Sequence, residues 1–395
     1  MIWRRWGLKS NPYFLDPFDE TALDLFVGRG SEVLALQSVP ETRSIIFLET
    51  TNGLGATSLG NFLRFGLAQR KFYFTPFAEF KLHSRQDFLN FIASLIDGLN
   101  WSVRQKYLFI SKDPQFLEHE AKSGRFFAAV SAQTRSEYKN QYLESEAKEL
   151  LEGIRNIVLK LGYGSGILIQ ISVQGLDFEW NHEYFYEFRE KIRPILLMSG
   201  YKWLFIGPKN VEQLLCYQKG LLAAELSKIK LKPLELQDIQ EILHRRKERL
   251  ALNQHARLPV NADVIGYLYA ACAGSLTEIF AAAAKLAQSF DGYQASEVDL
   301  LTAKPLMTEF LLEEMQKKGF PPLSFEIMKY LVCQHHAASG AIAAHLKKRR
   351  PNVSKVLRIL CRAGLLRMEV HGRNRIYYPL PEVKLAFNSE TARME

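Results

Sequence analysis

Two glycines and a threonine between residues 50 and 58 have part of the spacing that phosphate-binding loops use. The motif is G-x-x-x-x-G-K-[ST], in which backbone N–H groups cradle phosphates and the hydroxyl binds magnesium. Gly53 and Gly55 fall within the loop, and Thr57 stands where the hydroxyl belongs. Thr50 replaces the first glycine and Ala56 replaces the lysine. The loop therefore lacks a charge-assisted contact to phosphate of about 1.5–3 kcal/mol.

Two interpretations of this loop stay open. A backbone nest at a helix N-terminus can attract an anion without a lysine, which makes Gly53, Gly55, Thr57 and Ser58 candidate nucleotide-binding residues. The alternative, which the residues alone favour, is a glycine-rich turn that holds no ligand.

A magnesium site of this kind also needs a carboxylate at the end of a neighbouring strand. The strand predicted over residues 166–172 ends at Ser172, and the first acid after it is Asp177. The spacing of Asp177 fits a surface-loop acid better than a magnesium ligand.

A second kind of chemistry is concentrated near the C-terminus. The net charge of the chain is +9, from 51 basic and 42 acidic residues. Residues 321–381 hold eleven of the basic residues and only two acids, so the rest of the chain is balanced. This excludes a uniformly basic coat and indicates one site for an anionic partner.

The basic segment has the pattern helix–helix–helix–strand–turn–strand, which is typical of a winged helix-turn-helix. In the third helix, Val353, Val356, Leu357 and Leu360 have the spacing of a core-facing stripe. In the predicted domain the polar positions of that helix face the major groove of DNA. The basic turn before the helix contacts phosphates beside the groove, and the wing reaches the DNA backbone or the minor groove. The candidate DNA-binding residues are Lys347, Lys348, Arg349, Arg350, Asn352, Ser354, Lys355, Arg358, Arg373 and Arg375. The alternatives are solvated faces and a protein-interaction module.

The elements that must position these residues follow from hydrophobic patterning. Short apolar runs at 44–49, 166–172 and 202–207, with an alternating run at 71–75, predict strands, and helical segments at 57–69, 84–99 and 101–160 lie between them. This alternation predicts an α/β fold with a parallel sheet. After residue 233 the pattern changes to helices at 237–252 and 262–289.

The remaining candidates are weaker. The aromatic stretch 72–80 could stack on single-stranded bases, but core packing is the favoured interpretation. His335 and His336 have no accompanying metal set, no catalytic triad is identifiable by spacing, and the four cysteines form no C-x-x-C pair. No catalytic or metal-binding residue is therefore assigned. We expect no secretory signal and no membrane association, and hence a cytoplasmic protein.

Several motifs in order resemble AAA+ and STAND-type P-loop ATPases of the initiator (origin-recognition) kind or the transposon and defence kind. The opening Trp6-Gly7-Leu8, Asn11-Pro12-Tyr13 and Leu25–Arg29 resembles the start of that family, and the segments 231–239 and 272–278 resemble its helical lid. The resemblance covers nearly the whole chain. It implies that Val27, Gly28 and Arg29 lie over the adenine, and that residues 202–207 form the first-sensor strand.

The departures from the family share one direction. The lysine becomes Ala56, the acid on the third strand becomes Ser172, and the sensor arginine of the lid becomes Thr277. All three changes remove charges that handle a nucleotide triphosphate. The resemblance therefore implies a pseudo-ATPase that has lost hydrolysis and needs no cofactor, with ATP or ADP binding still open.

The functional hypothesis is a DNA-binding AAA+-like adaptor or assembly subunit that acts on double-stranded DNA in an oligomer, with protein partners such as an active AAA+ ATPase. Its setting would be a mobile element, replication or defence. We expect a degenerate core over residues 1–230, a helical lid over 231–318 and a winged helix over 319–395. The rivals are a nucleotide-gated ATPase switch with an atypical loop and a protein-interaction scaffold.

Overall fold

In the computed structural model the chain divides into two compact units, Pro17–Lys232, and Met1–Asp16 together with Pro233–Glu395. The expected division into three domains stays a prediction. All structural statements refer to the residues that the structure describes: 2–37, 39, 44–51, 53–82, 87–132, 137–173, 182–209, 211–216, 226–290, 297–317, 319–371, 374–381, 383–384 and 386–387.

A five-stranded parallel sheet forms the centre of the first unit. Its strands are β1 (Ile45–Glu49), β2 (Phe80–Leu82), β3 (Ile167–Val173), β4 (Tyr201–Gly207) and β5 (Leu226–Lys230). They lie in the order β2-β3-β4-β1-β5, and every pairing is parallel. In this order β1, the strand before the predicted phosphate loop, lies between β4 and β5. The predicted α/β fold class is confirmed.

The central strands are continuous apolar runs because both of their faces are covered. Every residue of β1, β3 and β4 is buried, as expected for a parallel sheet between two helical layers. Side chains such as Phe47, Ile169 and Trp203 fill the core on one face, while Leu48, Leu168 and Leu204 fill it on the other.

Seven helices accompany this sheet in the described part of the unit. They are α1 (Gly30–Gln37), α2 (Ala56–Gln69), α3 (Phe88–Lys106), α4 (Pro114–Ser131), α5 (Glu137–Lys160), α6 (His182–Leu196) and α7 (Val211–Cys216). Short 3₁₀ turns at Leu23–Leu25 and Leu108–Lys112 precede α1 and follow α3. The three helices α3, α4 and α5 all lie between β2 and β3 in sequence.

The strand predicted over residues 71–75 is wrong. Only Phe74 pairs with the sheet, through a single bridge to Ile167. Lys71 has a left-handed φ of 58°, and Pro76 carries no N–H to donate, so both limit the length of the pairing. The strand of this region lies further on, at β2.

The second unit combines an N-terminal segment with the helices that follow Pro233. The helices are α8 (Leu236–Leu250), α9 (Ala262–Ala271), α10 (Leu276–Ser289) and α11 (Leu300–Lys317). Residues 262–289, predicted as one helical stretch, form two helices because Ala273 and Gly274 take left-handed φ values of 49° and 75° between them. A Cβ at Gly274 would lie 2.6 Å from the Cβ of Pro233.

Arg246 anchors the N-terminal segment of this unit. The guanidinium lies 3.8 Å from the ring centre of Phe14 and donates to the carbonyl oxygens of Pro12 and Phe14 at 3.2 and 2.8 Å. Burial lowers the pKa of Arg246 to about 10. The residues whose sequence resembles the family opening therefore pack on α8.

The C-terminal part of the same unit has the element order of a winged helix. Its elements are α12 (Leu323–Gln334), β6 (Ala337–Ala338), α13 (Ser339–His345), α14 (Arg350–Arg362), β7 (Leu366–His371) and β8 (Asn374–Pro379). The three strands form an antiparallel sheet in the order β6-β8-β7. The predicted core stripe of the third helix is buried in full, with Val353, Val356, Leu357 and Leu360 at most 6% exposed.

Across the described ranges, every helix is too short or too polar to cross a bilayer.

Candidate functional site

The phosphate-loop region joins β1 to α2 through two left-handed glycines. Gly53 has φ 87°, and Gly55, which precedes the first helical residue, has φ 77°. These values suit glycine and not residues with a Cβ, which explains the glycine spacing. Thr57 and Ser58 lie in the first turn of α2 and are partly exposed, and Ala56 is 8% exposed. Asn52, within the same loop, lies outside the described residues.

Arg29 contacts this loop from the segment before α1. Its Nη2 donates to the carbonyl oxygen of Leu54 at 2.7 Å, and its Nη1 donates to the Lys232 carbonyl and to Oε1 of Glu32, the latter at 2.9 Å. Only 3% of the side chain is exposed. Arg29 also has a left-handed φ of 62° and follows Gly28 at 73°.

This geometry decides what the Arg29 charge does. Three of the five N–H donors of the guanidinium contact two backbone carbonyls and a carboxylate, so these contacts hold the loop. Burial raises the pKa of Glu32, but the hydrogen bonds from Ser31 and Arg29 together lower it by more. The pKa of Glu32 is therefore below its usual value. Val27 and Gly28 are partly exposed beside it.

The sequence reasoning missed Glu79. Its Oε2 accepts hydrogen bonds from the hydroxyl of Ser172 at 2.5 Å and from Nε2 of Gln170 at 2.9 Å. Ser172 and Gln170 are almost fully buried, while Glu79 is partly exposed. A carboxylate from the segment before β2 therefore reaches the strand position where the expected acid is missing.

The contact of Gln170 with α2 shows where the Glu79 carboxylate lies along the axis of that helix. A Cβ at Gly60 would lie 2.5 Å from Oε1 of Gln170. Ser172 lies two residues after Gln170 on β3, a rise of about 6.6 Å. Thr57 lies three residues before Gly60 on α2, a rise of about 4.5 Å. Ser172 and Glu79 therefore lie on the side of α2 where the phosphate loop begins.

Arg64 holds the segment that carries Glu79. It donates to the carbonyl oxygens of Pro76 and Phe77 at 2.6 and 2.9 Å, and its Nε donates to Oδ1 of Asn61 at 3.0 Å. Burial lowers the pKa of Arg64 to about 10, and the nearby Glu79 opposes that shift. No local pattern in the sequence indicates this contact, because Arg64 lies within α2, twelve residues before Pro76.

A second ion pair lies at the end of β1. Oε2 of Glu49 is 2.8 Å from Nζ of Lys228 on β5, and Lys228 also pairs with Glu212. The hydrogen bond from Lys228 holds the pKa of Glu49 below its usual range. Lys228 is therefore neutralised by acids of the same unit, and Nζ of Lys230 lies 3.8 Å from Oε1 of Glu49.

The turn predicted to belong to a helical lid lies in the second unit. Thr277, in place of the expected arginine, is in the first turn of α10 and is exposed. The segment 231–239 runs from the end of β5 to α8, where Oδ2 of Asp238 accepts from the Glu235 N–H at 3.3 Å.

The predicted DNA-binding residues from Lys347 to Arg358 lie on and before α14, and Arg375 lies on β8. The exposed ones are Lys347, Lys348, Arg349, Arg350, Asn352, Lys355, Arg358 and Arg375, and Ser354 is partly exposed. Arg373 lies outside the described residues.

These cations differ from those at the loop in having no acidic partner. Within the described ranges, no ion pair involves any basic residue from Lys347 to Arg358. Arg350 makes one long contact, 3.4 Å from its Nε to Oγ of Ser339. Pro351 lies in the first turn of α14, and its missing N–H costs nothing there.

His335 and His336 do not form a metal site. The ring of His336 stacks on Tyr378 at 5.3 Å, and His335 has a left-handed φ of 61° after α12. Within the described part of the chain, no three His, Cys, Asp or Glu side chains are grouped as metal ligands are.

No family model matches the chain, and no curated protein matches it in sequence. Among solved structures it is similar to the Aeropyrum pernix Orc1 protein in complex with DNA, at 14% identity and a TM-score of 0.46, covering 95% of this chain and 98% of that one. It is also similar to Cdc6p from Pyrobaculum aerophilum, at 10% identity and a TM-score of 0.41, covering 95% and 97%.

A third similar structure is Thermotoga maritima RuvB, a Holliday junction branch migration motor, at 14% identity and a TM-score of 0.39, covering 90% and 93%.

Proposed function

We propose that the chain is a DNA-binding AAA+-like protein whose winged helix contacts double-stranded DNA. The observation that supports this most strongly is the row of exposed cations before and along α14, none of which has an acidic partner in the described ranges. An amphipathic helix with a buried apolar stripe and an exposed basic face suits the major groove. A solvated face would show the interspersed acids that other helices of this chain carry, such as the Glu241–Arg245 pair on α8.

The residues divide by role in this proposal. Asn352, Ser354, Lys355 and Arg358 lie on the helix that would enter the groove and would contact base edges or phosphates. Lys347, Lys348, Arg349 and Arg350 would lie on phosphates beside it, and Arg373 and Arg375 would reach the backbone from the wing.

The test is the salt dependence of duplex binding by the full chain. If about six phosphates are contacted, log K falls against log salt with a slope near −5. A slope near zero, or no binding to duplex DNA at low salt, would overturn the proposal and favour a protein-interaction scaffold.

We further infer that the phosphate-loop region does not hydrolyse ATP. The backbone of the loop suits a phosphate group, since its two left-handed glycines lead into a helix N-terminus. The charges do not suit magnesium-bound triphosphate: Ala56 provides no cation, Arg29 donates to two carbonyls and to Glu32, and Lys228 is paired with Glu49. We therefore assign no catalytic step to any residue.

An adaptor or assembly subunit is the role that fits such a protein. When bound to DNA, the chain would recruit partner subunits, such as an active AAA+ ATPase that supplies the missing charges. Co-purification of a hydrolysing partner whose turnover rises with this chain would support the role. A phosphate-release assay of the chain alone tests the loss of hydrolysis, and turnover that disappears in Thr57→Ala would contradict it.

A second candidate, a nucleotide-gated switch, is favoured by one observation. The Glu79 carboxylate lies where the missing acid of β3 belongs and would be the residue to hold a magnesium ion with a nucleotide. In that case ADP or ATP with magnesium would raise the melting temperature of the chain by mass action, and Glu79→Gln would abolish the rise. No shift at millimolar nucleotide would exclude this candidate.

A further inference from the structure

A group of exposed aromatic rings lies on the first unit, formed by the turn after α2 and the end of α3 with its following 3₁₀ turn. The exposed fractions are 52% for Trp101 and 65% for Phe109. We call the surface formed by residues 70–77, 101–112 and 161–166 the aromatic face. Such exposure of large rings in one place marks a binding surface more often than a chance distribution.

The rings are held in fixed orientations. Phe77 meets Trp101 edge to face, with centroids 5.4 Å apart and planes at 71°, and Tyr107 meets Phe109 at 5.7 Å and 72°. The hydroxyl of Tyr107 donates to that of Tyr163 at 2.9 Å. Trp101 and Phe109 keep more than half of their surface exposed beside these contacts, which leaves ring surface for a stacked ligand.

Lysines lie between the two ring pairs. Nζ of Lys106 is 5.0 Å from the Phe77 ring centre, and it donates to the Thr75 carbonyl at 3.2 Å. Nζ of Lys71 donates to the Tyr107 hydroxyl at 2.7 Å and is 4.6 Å from the Tyr163 ring centre. Trp101 and Tyr107 are six residues apart along the chain, a rise of about 9 Å at helical geometry.

The charge of the aromatic face indicates the kind of ligand. Its three segments contain five basic residues and no acid: Arg70, Lys71, Arg104, Lys106 and Lys112. Basic and acidic residues are close to balanced in the first unit as a whole. Neighbouring acids offset part of the basic excess, because Glu120 pairs with Arg104 and Glu20 attracts Lys106. The remaining excess favours a polyanion.

We propose that the aromatic face binds single-stranded nucleic acid, with bases stacked on Trp101 and Phe109 and the backbone along the lysines. Alternating rings and cations are what sequence-tolerant single-strand binding requires, because every base has a flat face and every linkage a charge. A duplex offers neither open bases nor this contact. The surface is separate in residues and in ligand from the helix that we assign to duplex DNA.

The test uses the full chain carrying Lys355→Ala and Arg358→Ala, which weakens the winged-helix site. Its binding to a labelled oligothymidylate is compared with its binding to an abasic oligonucleotide of equal length and charge. We expect the base-containing strand to bind at least tenfold more tightly, and binding to quench tryptophan fluorescence that Trp101→Phe removes.

Truncation of the rings gives the second measurement. Trp101→Ala with Phe109→Ala should weaken oligothymidylate binding about 100-fold, at roughly tenfold per lost stacking contact. The matched control is Tyr142→Ala, an aromatic on α5 that is 70% exposed and outside the aromatic face. Equal affinity for the abasic strand, or unchanged affinity in the double variant, would overturn the proposal and leave a protein partner as the occupant.

Discussion

The phosphate-loop region and the basic helix α14 both carry positive charge, but they use it in opposite ways. At the loop, Arg29 donates to two carbonyls and a carboxylate, and Lys228 pairs with two acids. On α14, Lys355 and Arg358 point into solvent without an acidic partner in the described ranges. A charge that is bonded inside its own fold stabilises that fold, whereas an unpaired exposed charge is available to an external anion.

The sharpest test of this contrast substitutes one arginine in each region. Arg29→Ala should lower the free energy of unfolding by about 3–5 kcal/mol, because it leaves Glu32 and two carbonyls of a buried network without their donor. Arg358→Ala, at an exposed position, should change it by no more than about 0.5 kcal/mol. Urea unfolding of both variants measures the difference.

Similar unfolding free energies for the two variants would contradict the claim that Arg29 stabilises the fold and Arg358 does not. Arg29→Lys is the control for charge alone, since lysine cannot contact both carbonyls and the carboxylate in the geometry of a guanidinium.

The second test concerns binding. Lys355→Ala with Arg358→Ala should weaken duplex binding by about 3 kcal/mol, roughly 100-fold, and make the salt slope shallower by about 2. Fluorescence anisotropy across a salt series measures both quantities. Lys317→Ala is the matched control, because Lys317 is exposed but pairs with Glu313 within α11; a control variant with the same loss would remove the role of α14.

The third test restores the missing lysine at the loop. Ala56→Lys should raise the affinity for ATP by about 1.5–3 kcal/mol, or roughly 10- to 100-fold, over Ala56→Met, which has similar length and no charge. Isothermal calorimetry of the two variants gives the difference. If they bind ATP equally, the loop does not hold a nucleotide in the orientation that the motif implies.

The smallest effect is a pH dependence from Glu49. Its folded pKa is lowered by Lys228, so its contribution is present above the unfolded pKa, near 4.3, and is lost as pH falls through the lowered folded value. Wild type should therefore lose up to about 1 kcal/mol more stability than Glu49→Gln between pH 5 and pH 3. Parallel acid-unfolding curves for the two proteins would contradict a stabilising ion pair between Glu49 and Lys228.

Sequence patterns were sufficient where one local rule decided the outcome. The buried runs of β1, β3 and β4 predicted parallel strands, and the stripe from Val353 to Leu360 predicted the core face of α14. Local patterning failed at residues 71–75, where alternation looked like a strand but Lys71 and Pro76 restrict pairing to Phe74.

The sequence alone determined that a loop with two glycines and no lysine follows the first strand, and that the whole charge excess lies near the C-terminus. Only the tertiary structure showed that Arg29 donates to the Leu54 carbonyl and that Glu79 reaches Ser172 from 93 residues away. The physical reason is that composition and spacing record which charges exist, whereas the partner of each charge depends on which segments the sheet order brings together.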